Sequence, residues 1–310
     1  MGVYDKIVEL SQEPLAREKS IAYVAENLGK FLKLKERVLI CFPEHKEGNI
    51  SWIVEQAVQR CGAVPVLLGE DHRWKNILRT AFLSRASTVI GPPMIILGLT
   101  KLEKAEGVPL FVRNAVTAGY PCLDWMIDGI RKGFDCQTWG CFGLDTSGVV
   151  AGFSCGRSRG VHLRSDAYTV QILDEQGNLP PEGACGEIHL YPNGRPDLRY
   201  GLGERARLET VSCACGSQEI RLMDMAPDKT EDPDLRDLGQ YLQSWTSILD
   251  CRLNKGEYGL EIEIIVFPGE KLPKLPSAAR LVVRAWNPEM DEPFPYEPAL
   301  KNSANSPENH

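Results

Sequence analysis

The feature that most constrains the fold is a regular alternation of short apolar runs and helical patterns between residues 35 and 140. Residues 37–42 form the first apolar run, which Pro43 ends, and residues 49–61 then follow a helical pattern. Further apolar runs occupy residues 64–68, 87–90, 110–113 and 136–139, with helical patterns at 73–84 and after Pro93 and Pro121. Continuous apolar runs between helices are typical of strands buried on both faces of a parallel sheet. We predict a doubly wound α/β layer, preceded by a helix from Pro14.

After Gly140 the pattern changes to glycine-rich turns between alternating segments, which are typical of antiparallel strands. Strands are predicted at residues 147–154, 166–174, 186–191, 198–209 and 218–225. An acidic stretch from Asp224 to Asp237 then separates a last unit with one helix and three strands. The helix is predicted at residues 238–247 and the strands at 248–253, 260–267 and 279–285.

These patterns divide the chain into a large domain, a small module and a tail. The large domain comprises residues 1–225, with an α/β part at 1–140 and a β-rich part at 141–225. Residues 226–287 form a small α+β module. Residues 288–310 are rich in proline, asparagine and serine and bury too little apolar surface to fold, so we expect a disordered tail.

Charge and hydropathy restrict the partners and the compartment. The 310 residues include 35 Lys and Arg against 42 Asp and Glu, a net charge of −7, which argues against nucleic acid or an anionic membrane as the main partner. No apolar run approaches the roughly 20 residues of a membrane span, and the N-terminus lacks the pattern of a signal peptide. We expect a cytoplasmic protein that binds a small molecule.

The ten cysteines are expected to be reduced in that compartment. Six lie within or beside apolar runs and are expected to pack as small hydrophobic side chains: Cys41, Cys61, Cys122, Cys136, Cys141 and Cys251. His45, His72 and His310 lie in polar positions and are expected at the surface. The sequence contains neither a Gly-x-Gly-x-x-Gly nor a Walker-type phosphate loop.

Two short segments carry possible metal ligands. Cys213 and Cys215 form a Cys-x-Cys pair, and Cys155 precedes His162 by seven residues. Three thiolates and an imidazole would complete a four-coordinate structural zinc site. From spacing alone, unrelated buried thiols remain the alternative, and the spare candidates are Cys185 and His189.

Three motifs in order now resemble one family. Residues 184–190 (ACGEIHL), 198–208 (LRYGLGERARL) and 213–216 (CACG) are similar to the phenylacetate–coenzyme A ligase and coenzyme F390 synthetase branch of the adenylate-forming enzymes. That branch has a Gly-Glu-Leu strand, then Arg-Tyr-x-Thr-Gly-Asp, then Cys-Pro-Cys-Gly. The match continues upstream at residues 62–65 and 88–93 and covers roughly residues 20–220.

The resemblance implies an adenylate-forming enzyme fold and ATP-dependent activation of an organic carboxylate. It assigns zinc to four residues: Cys155, His162, Cys213 and Cys215. Glu204 matches the acid that binds the ribose hydroxyls, and Arg199 lies beside it. The other positions that match the nucleotide and acyl site are Gly119, Tyr120, Phe142 and Thr146.

Departures from the family pattern leave the activity open. The family's Ser-Ser-Gly-Thr-Thr-Gly phosphate loop precedes the point where this chain begins, and two family glutamates are replaced by Tyr120 and Thr146. The second of those glutamates helps to hold Mg²⁺, for which a neutral hydroxyl is a poor ligand. No motif selects a catalytic lysine among Lys255, Lys271 and Lys274.

We therefore expect one of two functions. The first is a divergent carboxylate-activating ligase that binds ATP and Mg²⁺. The alternative is a zinc-stabilised, non-catalytic protein that binds a small carboxylate, a nucleotide or a partner protein in the same cleft. A third interpretation is that a separate chain supplies the phosphate loop.

Overall fold

The computed structural model describes residues 3–119, 123–144, 148–226, 233–256, 259–270 and 280–294. The helices in these ranges are α1 (Val3–Ser11), α2 (Pro14–Leu28), α3 (Ile50–Arg60), α4 (Trp74–Ser84), α5 (Pro93–Glu106), α6 (Asp124–Phe134) and α7 (Pro233–Ser244). The first seven strands are β1 (Arg37–Ile40), β2 (Val64–Leu67), β3 (Thr88–Gly91), β4 (Asn114–Ala118), β5 (Gln137–Leu144), β6 (Val149–Phe153) and β7 (Val161–Leu163). The other seven are β8 (Tyr168–Leu173), β9 (Gly186–Pro192), β10 (Tyr200–Glu209), β11 (Arg221–Ala226), β12 (Ile248–Gly256), β13 (Gly259–Val266) and β14 (Arg280–Ala285).

One sheet of eleven strands runs through the large domain in the order β2-β1-β3-β4-β5-β6-β7-β11-β10-β9-β8. The pairs from β2 to β5 are parallel, and those from β5 to β8 are antiparallel. Helices α2 and α3 pack on one face of the parallel part, and α4, α5 and α6 on the other. The predicted α/β fold with a doubly wound parallel layer and a β-rich half is confirmed. The predicted boundary between the α/β part and the β-rich part, at residues 140 and 141, lies inside β5. The two parts therefore share one continuous sheet.

The helix boundaries follow local sequence signals. Pro14 and Pro93 occupy the first turns of α2 and α5, where a missing N–H costs no helical hydrogen bond. The Asn49 side chain accepts a hydrogen bond from the backbone N–H of Trp52 at 3.0 Å and so caps α3. No helix in the described part of the chain is both long and apolar enough to cross a bilayer.

Some element boundaries differ from the prediction. The strand predicted at residues 110–113 is wrong, because β4 begins only at Asn114. Phe111 is 64% exposed, whereas every β4 side chain is buried. The apolar run at 110–113 is therefore the segment that leads into β4. Strand β7 was not predicted, since three residues are too few to show an alternating pattern.

The small module consists of α7 and the sheet β12-β13-β14. Leu249 and Ile265 of this sheet join the same apolar cluster as α4 and α5, so the module packs against the large domain. The chain beyond residue 287 also packs there, since Asp291 O accepts a hydrogen bond from Trp74 N at 3.0 Å. The packed chain thus extends to residue 294, past the predicted start of the tail, and residues 295–310 lie outside the described ranges.

Lys101 on α5 connects the large domain to the module. Its buried Nζ donates hydrogen bonds to Gln243 O at 2.7 Å and Ile248 O at 2.8 Å. Burial lowers the pKa of this amine to about 8, while the carboxylate of Asp250 opposes that shift. The cation also lies at the carboxyl end of α7, where a positive charge is favourable.

Replacing Lys101 by methionine should lower the free energy of unfolding by about 2–4 kcal/mol, because two buried carbonyl groups lose their donor. Equilibrium unfolding in urea measures this loss. Lys104→Met, at an exposed position on the same helix, is the matched control and should change stability by less than about 0.5 kcal/mol. Equal effects of the two substitutions would contradict a structural role for the Lys101 ammonium group.

Candidate functional site

A cavity of about 450 Å³ lies where the sheet changes from parallel to antiparallel. Strand β5 forms its floor, since it pairs in parallel with β4 and antiparallel with β6. Helix α6, the loop between β6 and β7, and strands β10 and β11 complete the walls. Three of the predicted nucleotide-site residues line this cavity: Gly119, Phe142 and Glu204.

Glu204 is the unusual residue of the cavity. The register of β10 shifts against β9 between Gly201 and Arg205, so Glu204 lies in an irregular stretch that re-aims its side chain. Its Oε2 atom is buried and has no hydrogen-bond partner among the described residues. Burial raises the pKa of this carboxyl group to about 7. A buried carboxylate oxygen without a donor is costly, and a hydroxyl group of a ligand would remove that cost.

The remaining predicted residues of this site lie elsewhere. Arg199 is exposed just before β10 and does not line the cavity. Tyr120 and Thr146 lie outside the described residues, as do Cys122, Lys271 and Lys274.

The four predicted metal ligands come together at one edge of the cavity. The Sγ atoms of Cys155 and Cys213 are 3.6 Å apart, and Cys215 Sγ is 3.5 Å from His162 Nε2. All four ligand atoms lie within 4.8 Å of one another. Cys155 lies at the start of the β6–β7 loop, His162 lies in β7, and Cys213 and Cys215 lie in the turn between β10 and β11.

This donor set fits zinc. Tetrahedral bonds of about 2.3 Å to sulfur and 2.0 Å to nitrogen place neighbouring ligand atoms roughly 3.5–3.8 Å apart. The distances of 3.6 Å between the Cys155 and Cys213 sulfurs and 3.5 Å between Cys215 Sγ and His162 Nε2 agree with this spacing. His162 Nδ1 is buried without a hydrogen bond, and it lies 3.7 Å from Glu219 Oε2. A carboxylate behind a ligating imidazole is a common outer partner of metal-bound histidine.

The Cys213 thiol of this cluster differs from the buried cysteines outside it. Burial raises the pKa of Cys213, but hydrogen bonds involving Ser158, Cys215 and Cys155 outweigh it and lower the pKa to about 6. By contrast, burial alone raises the pKa of Cys141 to about 12. The thiols of Cys41, Cys136 and Cys141 are buried as expected, whereas Cys61 and Cys251 are half-buried.

The spare metal-ligand candidates do not join the cluster. Cys185 is exposed before β9, and His189 on that strand lies 3.6 Å from Glu187 Oε2. Burial lowers the pKa of His189, with Glu187 opposing the shift.

No family model matches the sequence, and no curated protein matches it. Solved structures do match: 2-hydroxyisobutyryl-CoA ligase in complex with 2-HIB-AMP superposes with a TM-score of 0.70 at 13% identity, over 93% of this chain and 70% of that one. The chain has the adenylate-forming enzyme fold.

Two further solved structures share this adenylate-forming fold. A benzoate CoA ligase from Burkholderia xenovorans LB400 matches with a TM-score of 0.57 at 11% identity, over 88% of this chain and 63% of that chain. The anthranilate CoA ligase AuaEII, in complex with anthranoyl-AMP, matches with a TM-score of 0.55 at 13% identity, over 85% and 60%. The narrower resemblance to the phenylacetate–coenzyme A ligase branch stays a prediction.

Sequence reasoning missed the charged residues that line the cavity of this adenylate-forming fold. Arg159 pairs with Asp124 at 2.5 Å, and Arg131 lies 3.7 Å from Asp128. Arg157, on the same loop as Arg159, also lines the cavity. The signal was the run CGRSRG at residues 155–160, which places two arginines between two glycines directly after the predicted metal ligand Cys155.

Proposed function

We propose that the protein binds an adenine nucleotide in the 450 Å³ cavity and uses ATP to activate an organic carboxylate by adenylation. The observation that carries this proposal is Glu204, whose buried Oε2 lacks a donor at the position that matches the family's ribose-binding acid. The two hydroxyl groups of a ribose would supply the missing hydrogen bonds. Gly119, which has no side chain, and Phe142 would then lie beside the base.

In the proposed reaction, a carboxylate oxygen attacks the α-phosphorus of ATP, an acyl-adenylate forms and pyrophosphate leaves. The chain's part in this step is to orient the ribose through Glu204 and to exclude water from the cavity. The transition state carries added negative charge on the α-phosphate, so nearby cations accelerate the step. Arg131, Arg157 and Arg159 are the cations that line the cavity among the described residues.

The residues described here do not assign Mg²⁺ to the chain. Asp124, Asp128 and Asp224 line the cavity, but each lies within ion-pair distance of an arginine. A hard cation needs unpaired oxygen ligands. This pairing favours the second candidate function, in which the cavity binds a nucleotide or a carboxylate without catalysing adenylation.

We further propose that Cys155, His162, Cys213 and Cys215 hold a structural zinc ion. Because four protein ligands fill a tetrahedral site, the ion would have no open position for substrate. Its role would be to tie the β6–β7 loop to the turn between β10 and β11.

Carboxylate-dependent exchange of labelled pyrophosphate into ATP distinguishes the two candidates. The ligase should catalyse exchange with Mg²⁺ and at least one member of a panel of aromatic and short aliphatic carboxylates. Exchange should fall at least about tenfold in Glu204→Gln, because ribose orientation is lost. Nucleotide binding without exchange across the panel would reject the ligase and support the non-catalytic candidate.

A further inference from the structure

The loop between β6 and β7 holds Arg157, one of the three arginines that line the cavity. Arg157 lines the cavity with an exposed side chain, and it has no ion pair or hydrogen bond with any of the residues the structure describes. The other two arginines of the cavity differ, since Arg159 pairs with Asp124 and Arg131 donates to Thr138 Oγ1 at 2.8 Å. Arg157 is therefore the cavity arginine whose charge no described residue neutralises.

The loop is built to hold one conformation. Gly156 and Gly160 flank the two arginines with φ of +69° and +89°, in the left-handed region that favours glycine. A Cβ atom on Gly156 would lie 2.7 Å from the Trp139 ring, and one on Gly160 would lie 2.6 Å from Leu222 O. The loop therefore packs tightly against the cavity floor and against β11 at its two glycines.

The four residues of the metal cluster include two that flank this loop. Cys155 precedes Gly156, and His162 follows Gly160 by two residues, so both ends of the loop carry cluster ligands. A bound ion would fix the two ends of the loop and with them the position of Arg157.

We infer that Arg157 binds an oxyanion of the cavity's ligand, and that the metal cluster sets this affinity by holding the loop. The inference rests on the proposed nucleotide function and deepens it, because it assigns the group that contacts the ligand's charge. A guanidinium binds phosphate or carboxylate through two parallel N–H donors. The oxyanion therefore belongs either to the nucleotide phosphate or to the carboxylate substrate in the cavity that Glu204 also lines.

Calorimetric titration with adenosine, AMP and benzoate tests this inference and separates the two sources. If Arg157 binds the phosphate, AMP should bind wild-type protein at least about tenfold more tightly than adenosine, and Arg157→Gln should abolish that difference. If it binds the carboxylate, Arg157→Gln should weaken benzoate binding about tenfold and leave AMP unchanged. Arg195→Gln, at an exposed arginine outside the cavity that pairs with Asp197, is the matched control.

Two further variants test the loop and the cluster. Gly156→Ala strains the loop without removing a charge or a metal ligand, and it should reduce the binding of the same anion with metal content unchanged. Metal-stripped protein, checked for folding by circular dichroism, should behave like Arg157→Gln. Anion affinities that are the same in wild type and Arg157→Gln, or absent from both, overturn the inference. If adenosine, AMP and benzoate all bind these two proteins with unchanged affinity, the inference fails and the proposed function stands.

Discussion

Cys213→Ser should release the metal ion and lower the free energy of unfolding by about 4 kcal/mol when free zinc is near a thousand times its dissociation constant. The ion would bind the native cluster of three thiols and one imidazole. Losing one ligand would therefore remove most of the stabilisation that metal binding gives the folded state. The destabilisation should be largest in the β6–β7 loop and the turn between β10 and β11. Metal analysis and urea unfolding, with and without a chelator, measure both effects.

Cys185→Ser is the matched control for that substitution. Cys185 is exposed and lies outside the cluster, so its loss should leave both the metal content and the stability unchanged. Purified wild-type protein should carry about one equivalent of zinc. Wild-type protein with less than about half an equivalent, or Cys213→Ser protein with full metal content, would contradict the four-ligand site.

Glu204→Gln should stabilise the ligand-free protein at pH 8 by about 3 kcal/mol while weakening nucleotide binding. Burial raises the pKa of this carboxyl group from its ordinary value of 4.5 to about 7. Between these pH values the folded protein binds more protons than the unfolded chain, so stability falls as the pH rises. The neutral amide escapes this penalty.

The difference between wild type and Glu204→Gln should therefore depend on pH. It should be near zero at about pH 4.5 and reach its full value above about pH 7, as measured by urea unfolding across that range. Glu187→Gln, at a carboxylate that is 42% exposed on the neighbouring strand, should shift stability by less than about 0.5 kcal/mol at every pH. A stability difference that does not change with pH would show that Glu204 is ionised without penalty.

Local sequence patterns predicted the layer architecture because strands of the parallel part such as β1 and β3 lie within continuous apolar runs. Residues 37–42 and 87–90 correspond to β1 and β3 in this way. The strand predicted at residues 110–113 was wrong, because this apolar pattern includes the exposed Phe111 and β4 begins only at Asn114. Local patterns also could not show that β5 joins the two halves in one sheet, because strand pairing depends on contacts distant in sequence.

The candidate site was predictable where residue chemistry is distinctive. Three cysteines and one histidine are few enough to be grouped from their spacing and the family resemblance, and the structure brings them together. Glu204 was found through its motif, but its unpartnered burial depends on the irregular register of β10 and is visible only in three dimensions. Arg157 was missed because arginines in a polar loop are usually solvated surface residues, and the run CGRSRG does not by itself show that they line a cavity.

The most direct test of the central claim is calorimetric titration of AMP into metal-loaded wild-type protein and Glu204→Gln at pH 8. Wild-type protein should bind AMP. The substitution should weaken binding by about tenfold to a hundredfold, because the neutral amide of glutamine cannot form the charge-assisted hydrogen bonds of a carboxylate with the ribose. Absence of AMP binding to the wild type, or equal affinity of the two proteins, would contradict the claim that this cavity is a nucleotide site organised by Glu204.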